Sequence, residues 1–80
     1  MPKSIYTERY RRLCHLLIES RHEEQLTQEE LASRLGRPQS FVSKYERGQR
    51  RLDVVEFIDV CEALNQNPVH IISSVLDARS

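Results

Sequence analysis

Residues 26–48, LTQEELASRLGRPQSFVSKYERG, contain both glycines of the chain, Gly36 and Gly48, and one of its prolines, Pro38. These breakers split the stretch into two helix-like halves. Thr27 and Glu30 have the spacing of a capping box: the threonine oxygen accepts from the amide three residues on, and the glutamate reaches back to the Thr27 amide. A helix is therefore expected to start at Gln28, with Leu31, Ala32 and Leu35 facing inward. Gly36 can adopt the left-handed backbone that closes a helix at little steric cost. Pro38 suits the first turn of the next helix, where a missing amide hydrogen matters least. That helix is expected from Pro38 or Gln39 to Arg47, with Val42 and Tyr45 as its buried face and Gly48 as its stop.

On the N-terminal side, Ser4 is expected to cap a first helix in which Tyr6, Tyr10, Leu13 and Leu17 recur on one face, widened by Cys14 and Ile18. The polar run SRHEEQ ends that pattern near residue 22. On the C-terminal side, Asp53 and Glu56 repeat the N-terminal signature ahead of Val54, Phe57, Ile58, Cys61 and Leu64. Asn67 and Pro68 then open a fifth helix, with Val69, Ile72 and Leu76 on one stripe and Ile71 and Val75 beside it. Strand alternation, repeats and linkers are missing from the pattern. The expected fold class is all-α, five short helices in a single domain spanning residues 1–80, with a helix-turn-helix unit at about 28–47.

Eighty residues allow one small core, since a chain this short buries only about 60% of its unfolded surface. Neither a run near the roughly 20 apolar residues of a membrane span nor a secretory leader is visible, so a cytoplasmic location and no membrane partner are expected. Cys14 and Cys61 stand alone, as reduced buried thiols would. His15, His22 and His70 are scattered without the spacing of a zinc protease, and no phosphate loop or nucleophile signature accompanies them. Cys14 and His15 are adjacent and diverge by about 100° on a helix, which argues against a shared metal. No enzyme activity, metal or cofactor is expected.

The formal net charge is zero, but its distribution is uneven. Residues 34–51 hold six basic side chains, Arg34, Arg37, Lys44, Arg47, Arg50 and Arg51, against Glu46 alone, so the rest of the chain is acidic. Such asymmetry suits one surface that meets a polyanion while the remainder repels it.

The segment LTQEELASRLGRPQSFVSKYERGQR, followed by LDVVEFIDVCEALNQNP, closely resembles the lambda-repressor-like, or XRE, family of helix-turn-helix transcriptional regulators, from about Arg21 to Val75. The resemblance implies a five-helix domain that binds double-stranded DNA, commonly as a homodimer, and acts as a repressor or related regulator. Carried over by position, it makes the helix beginning near Pro38 the one that enters the major groove. Gln39 stands where the family reads adenine, whose N7 and N6 amino group match a side-chain amide; Ser40 and Lys44 follow on the same outward face. Gln28 matches a phosphate-binding position at a helix start. Arg47, Arg50 and Arg51 are expected at phosphates or in the minor groove, and Ser43 at the backbone. Phe41 either packs against the preceding helix or touches a thymine methyl, with packing favoured. Arg21 and Glu46 match an ion pair that fixes the recognition helix on the bundle.

Two departures stand out from the family pattern. Gln25 occupies a usual glycine position, and Pro38 replaces a capping Ser or Thr. Ile5, Tyr6 and Leu16 add apolar area on the first helix that a partner could cover. For the homodimer, Ile71, Val75 and Leu76 are expected near the twofold axis, with no small-molecule effector implied. A second reading stays open: a protein-interaction module of the same fold, such as an antitoxin or coactivator-like protein, whose main partner is a protein.

Overall fold

Helix starts in this chain are marked by side-chain oxygens that accept the first free amides. The computed structural model describes residues 7–77, and these form α1 (Glu8–Glu23), α2 (Gln28–Leu35), α3 (Gln39–Glu46), α4 (Val54–Ala63) and α5 (Pro68–Asp77), with no strand among them. Thr27 and Asp53 each complete a full capping box, with Glu30 and Glu56 respectively. Asn67 accepts from the Val69 amide at 2.8 Å. Thr7 caps α1 by accepting from the Tyr10 amide. The expected cap Ser4, together with Ile5 and Tyr6, lies outside the described residues.

α3 is the exception. Pro38 holds its N-cap position in an extended conformation and offers no side-chain hydrogen bond. The proline thus sits just before the helix rather than in its first turn, and Gln39 is the first helical residue.

The stops of α1 to α4 share one device. A residue in the left-handed region follows each helix, Gln25, Gly36, Gly48 and Asn65. The next amide then returns to a carbonyl one turn back: Leu26 to Arg21, Arg37 to Ala32, Gln49 to Lys44 and Gln66 to Cys61. This is the Schellman closure. A side chain at Gly36 would meet nothing within 4 Å, so glycine serves there for its φ of 68° and not for space. Gln25 makes the same turn at φ 59°, which is how the chain builds the turn without the family's glycine; a non-glycine residue there costs on the order of 1 kcal/mol.

Leu17, Leu31, Val42, Tyr45, Val60, Cys61 and Leu64 form the fully enclosed centre, joined by Ala32, Phe41, Phe57 and Ile71. Ala32, almost wholly buried, lets α3 cross close above α2. Both cysteines are buried and free, and burial pushes the Cys61 thiol up to about 11.

Two apolar faces differ from expectation. On α4, Val54 and Ile58 are exposed while Phe57, Val60, Cys61 and Leu64 point inward. On α5, Ile71 and Val75 are buried in the chain's own interior, at 6% and 7% exposure, whereas Val69, Ile72 and Leu76 face solvent. Ile71 and Val75 are therefore core residues of the single chain and not part of a face open to a second copy. Two adjacent apolar stripes satisfy helical periodicity equally well, and only packing decides which turns in.

No helix among the described residues is long and apolar enough to cross a membrane.

Candidate nucleic-acid interface

At about 100° per residue, α3 divides into a buried face, Val42 and Tyr45, and an outward arc carrying Gln39, Ser43, Arg47, Ser40 and Lys44 in angular order. Gln39, Ser40, Lys44 and Arg47 are exposed and Ser43 is half-buried. Charged side chains from other elements hold both edges of this arc.

At the Gln39 edge, Glu46 is buried with Arg21. The Arg21 Nε and a terminal guanidinium nitrogen donate to the two Glu46 carboxylate oxygens at 2.8 and 3.1 Å, and the other terminal nitrogen donates to the Leu26 carbonyl at 2.9 Å. Side-chain exposure is 10% for Arg21 and 4% for Glu46. Burial without a partner would be prohibitive for either charge, and the bidentate geometry satisfies both. Glu46 also accepts from the Gln28 amide nitrogen at 2.8 Å, and the Gln28 amide oxygen accepts from the Gln39 amide nitrogen at 2.7 Å. A relay thus runs Arg21, Glu46, Gln28, Gln39. Gln28, expected at a phosphate, uses its amide oxygen and one of its two amide N–H groups within this relay. Gln39, which is exposed, keeps its oxygen and one N–H outside the relay, an acceptor and a donor of the kind that adenine requires.

At the opposite edge lies Phe41, buried with its ring edge-on to Tyr45 at 5.7 Å between centroids. The guanidinium groups of Arg37 and Arg50 stand 4.2 and 4.9 Å from its ring centroid. Both arginines converge on Glu56: Arg37 donates once at 2.9 Å, and Arg50 donates twice at 2.9 and 2.8 Å. The Asp53 amide adds a fourth hydrogen bond at 3.0 Å. The Arg50 bonds, then the Asp53 amide, hold the Glu56 carboxyl down to about 2. Phe41 is packed, with 7% exposure, in keeping with the favoured packing role. Arg50, expected at a phosphate or in the minor groove, is bound to Glu56.

The loop after α3 is held by Tyr10, whose hydroxyl donates to the Arg50 carbonyl at 3.0 Å and accepts from the Leu52 amide at 3.2 Å. The Arg51 guanidinium stands 5.1 Å from the same ring. Sequence reasoning placed Tyr10 only on a core stripe and Glu56 only in a helix cap. A partner some forty positions away leaves no local signal, although a buried tyrosine hydroxyl generally demands one.

Folding therefore redistributes the basic stretch. Arg37 and Arg50 meet Glu56, Arg34 donates to the Ala63 carbonyl at 2.9 Å, and Arg51 lies against Tyr10. Lys44 and Arg47 are the two cations on the exposed side of α3. No cluster of metal-ligating side chains occurs among the described residues.

Residues 8–70 match the helix-turn-helix domain family. An XRE-family like protein from Pseudomonas syringae pv. tomato is 49% identical over 90% of this chain and 88% of its own, with a TM-score of 0.85. The restriction-modification controller protein C.AhdI from Aeromonas hydrophila is 32% identical over 78% of this chain and 94% of its own, with a TM-score of 0.72. The clp gene regulator ClgR from Corynebacterium glutamicum, 21% identical over 90% of this chain and 77% of its own at a TM-score of 0.79, shares the fold. Comparison with curated proteins gave no match. The relay behind Gln39, the turn at Gly36 and the family match over most of the chain lead to one assignment: the chain belongs to the XRE family of helix-turn-helix transcriptional regulators.

Proposed function

We propose that this chain regulates transcription by binding double-stranded DNA sequence-specifically as a homodimer, with α3 in the major groove, and that it represses by occupying its site. The observation that carries this reading is the outward arc of α3: a polar surface, exposed and almost free of carboxylates, whose leading residue Gln39 is oriented through Gln28 by a buried ion pair. Gln39, Ser40 and Lys44 are the base-reading residues. Ser43, Arg47 and Arg51 contact the backbone or minor groove, and Gln28 contacts a phosphate through the second N–H of its amide, which the relay does not use. Occupancy of a site needs no further surface, which favours repression over activation.

A module this small makes few base contacts, so a second copy supplies much of the affinity, with recognition helices about 34 Å apart in successive major grooves. The dimer face consistent with the packing is the exposed stripe Val69, Ile72 and Leu76; of the residues first expected there, Leu76 alone faces solvent.

Selection of bound fragments from random DNA tests the reading directly. A short near-palindrome with half-sites one helical turn apart is the expected product. Gln39→Ala should lower operator affinity by about 1–3 kcal/mol, the value of a good bidentate base contact, while leaving random DNA bound as before. Equal loss on both DNAs would remove Gln39 from base reading.

A further inference from the structure

Glu56 has two roles, of which only one belongs to its helix. As the third residue of α4 it completes the Asp53 capping box, and a glutamine would do this as well. It also gathers Arg37, which precedes α3, and Arg50, which follows it, so one carboxylate on α4 spans both ends of the recognition helix. Both guanidinium groups also stand over the Phe41 ring. By helical angle Phe41 lies on the flank of the outward arc opposite Glu46, roughly 140° around the axis from it. Rolling α3 one way would pull Glu46 from Arg21; rolling it the other way would pull Phe41 from its arginines.

We propose that Glu56 is a positioning residue for DNA recognition: it withholds Arg37 and Arg50 from the phosphates and fixes the roll of α3 through Phe41, so that its charge sets how far operator binding exceeds non-specific binding. This rests on α3 being the recognition helix. The two arginines are about 40% exposed and lie side by side at the Phe41 edge of the outward arc, so both stand beside the proposed DNA surface once their carboxylate is gone. Freed, they would add affinity for any sequence and none for a particular one, because phosphate contacts carry no base information. The clamp exchanges non-specific affinity for orientation.

The test measures binding of wild type, Glu56→Gln, Arg50→Ala and the triple variant Glu56→Gln/Arg37→Ala/Arg50→Ala to the selected operator and to random duplex across a salt series, with circular dichroism to verify the fold. For Glu56→Gln, random DNA should be bound more tightly, the slope of log K against log salt should steepen by about 0.9 for each arginine that gains a phosphate, and the ratio of operator to random affinity should fall. Arg50→Ala should leave the slope as in wild type, and the triple variant should show no steepening. The proposal is overturned if Arg50→Ala flattens the slope by about 0.9, which would make Arg50 a phosphate ligand in the native protein. It is equally overturned if Glu56→Gln lowers the melting temperature but changes neither slope nor ratio, which is a purely structural role. A wild-type chain without salt-dependent DNA binding would instead bring down the DNA reading itself, and this inference with it.

Discussion

Two ionic clamps hold the same helix, and they differ in depth. Arg21 and Glu46 are enclosed, with exposures of 10% and 4%, whereas Arg37 and Arg50 are about 40% exposed around a Glu56 that is 12% exposed. A buried pair contributes little beyond what apolar residues of the same size would, yet losing one partner strands a charge. A half-exposed cluster is screened by salt and loses little when broken. The inner clamp is therefore little screened by salt, while the outer one is open to adjustment by ionic strength.

Breaking the inner clamp should have the largest effect. Glu46→Ala is expected to destabilise the domain by about 3–5 kcal/mol, a large part of the 5–15 kcal/mol typical of such domains; urea unfolding measures it. A loss below about 1 kcal/mol would place the inner clamp with the outer one and erase the contrast.

Gln28→Ala asks whether the inner clamp extends to the surface. The Arg21–Glu46 pair stays intact, so stability should change by only about 1 kcal/mol, the usual net worth of a hydrogen bond. Operator preference should nonetheless fall by about tenfold as Gln39 loses its orientation, read from competition with random duplex. Unchanged preference would show that Gln39 is placed by α3 alone.

The outer clamp should titrate. The Glu56 carboxyl is held down to about 2 from an ordinary 4.5, so its contribution is complete above pH 4.5 and declines as the pH falls toward 2. Urea midpoints measured from pH 6 downward should fall more for wild type than for Glu56→Gln, and the difference should shrink in high salt. Parallel curves would mean that Glu56 adds no pH-dependent stability.

Between the clamps sits Tyr45, whose hydroxyl is the one buried side-chain polar atom without a hydrogen-bond partner among the described residues. Tyr45→Phe removes an unsatisfied donor and keeps the ring against Phe41. Stability should stay level or rise by about 1 kcal/mol. A loss larger than that would reveal a partner for the hydroxyl.

Local chemistry is what the sequence displays well. Thr27 with Glu30 and Asp53 with Glu56 announce two helix starts because each partner lies three residues from the other, and Gly36 announces a stop because few residues tolerate its φ. Gln25 and Asn65 make similar turns without glycine, so the same stops are harder to read there. α5 marks where periodicity loses its power: with Val69, Ile71, Ile72, Val75 and Leu76 all apolar, two stripes fit a helix, and contact with α1 and α4 selects Ile71 and Val75 for the interior.

By itself, then, the sequence determined the five helices, the tight turn between α2 and α3, and the polar composition of the arc that α3 presents, because capping, backbone conformation and helical period act within a few residues. Only the tertiary structure decided which cations face outward. Glu56 reaches back across the basic stretch, Glu46 turns inward to Arg21, and Tyr10 ties down the loop after α3. Charge counted along the chain treats those arginines as equivalent, whereas Coulombic pairing depends on separations of a few ångströms in space, which arise only when helices distant in sequence pack together.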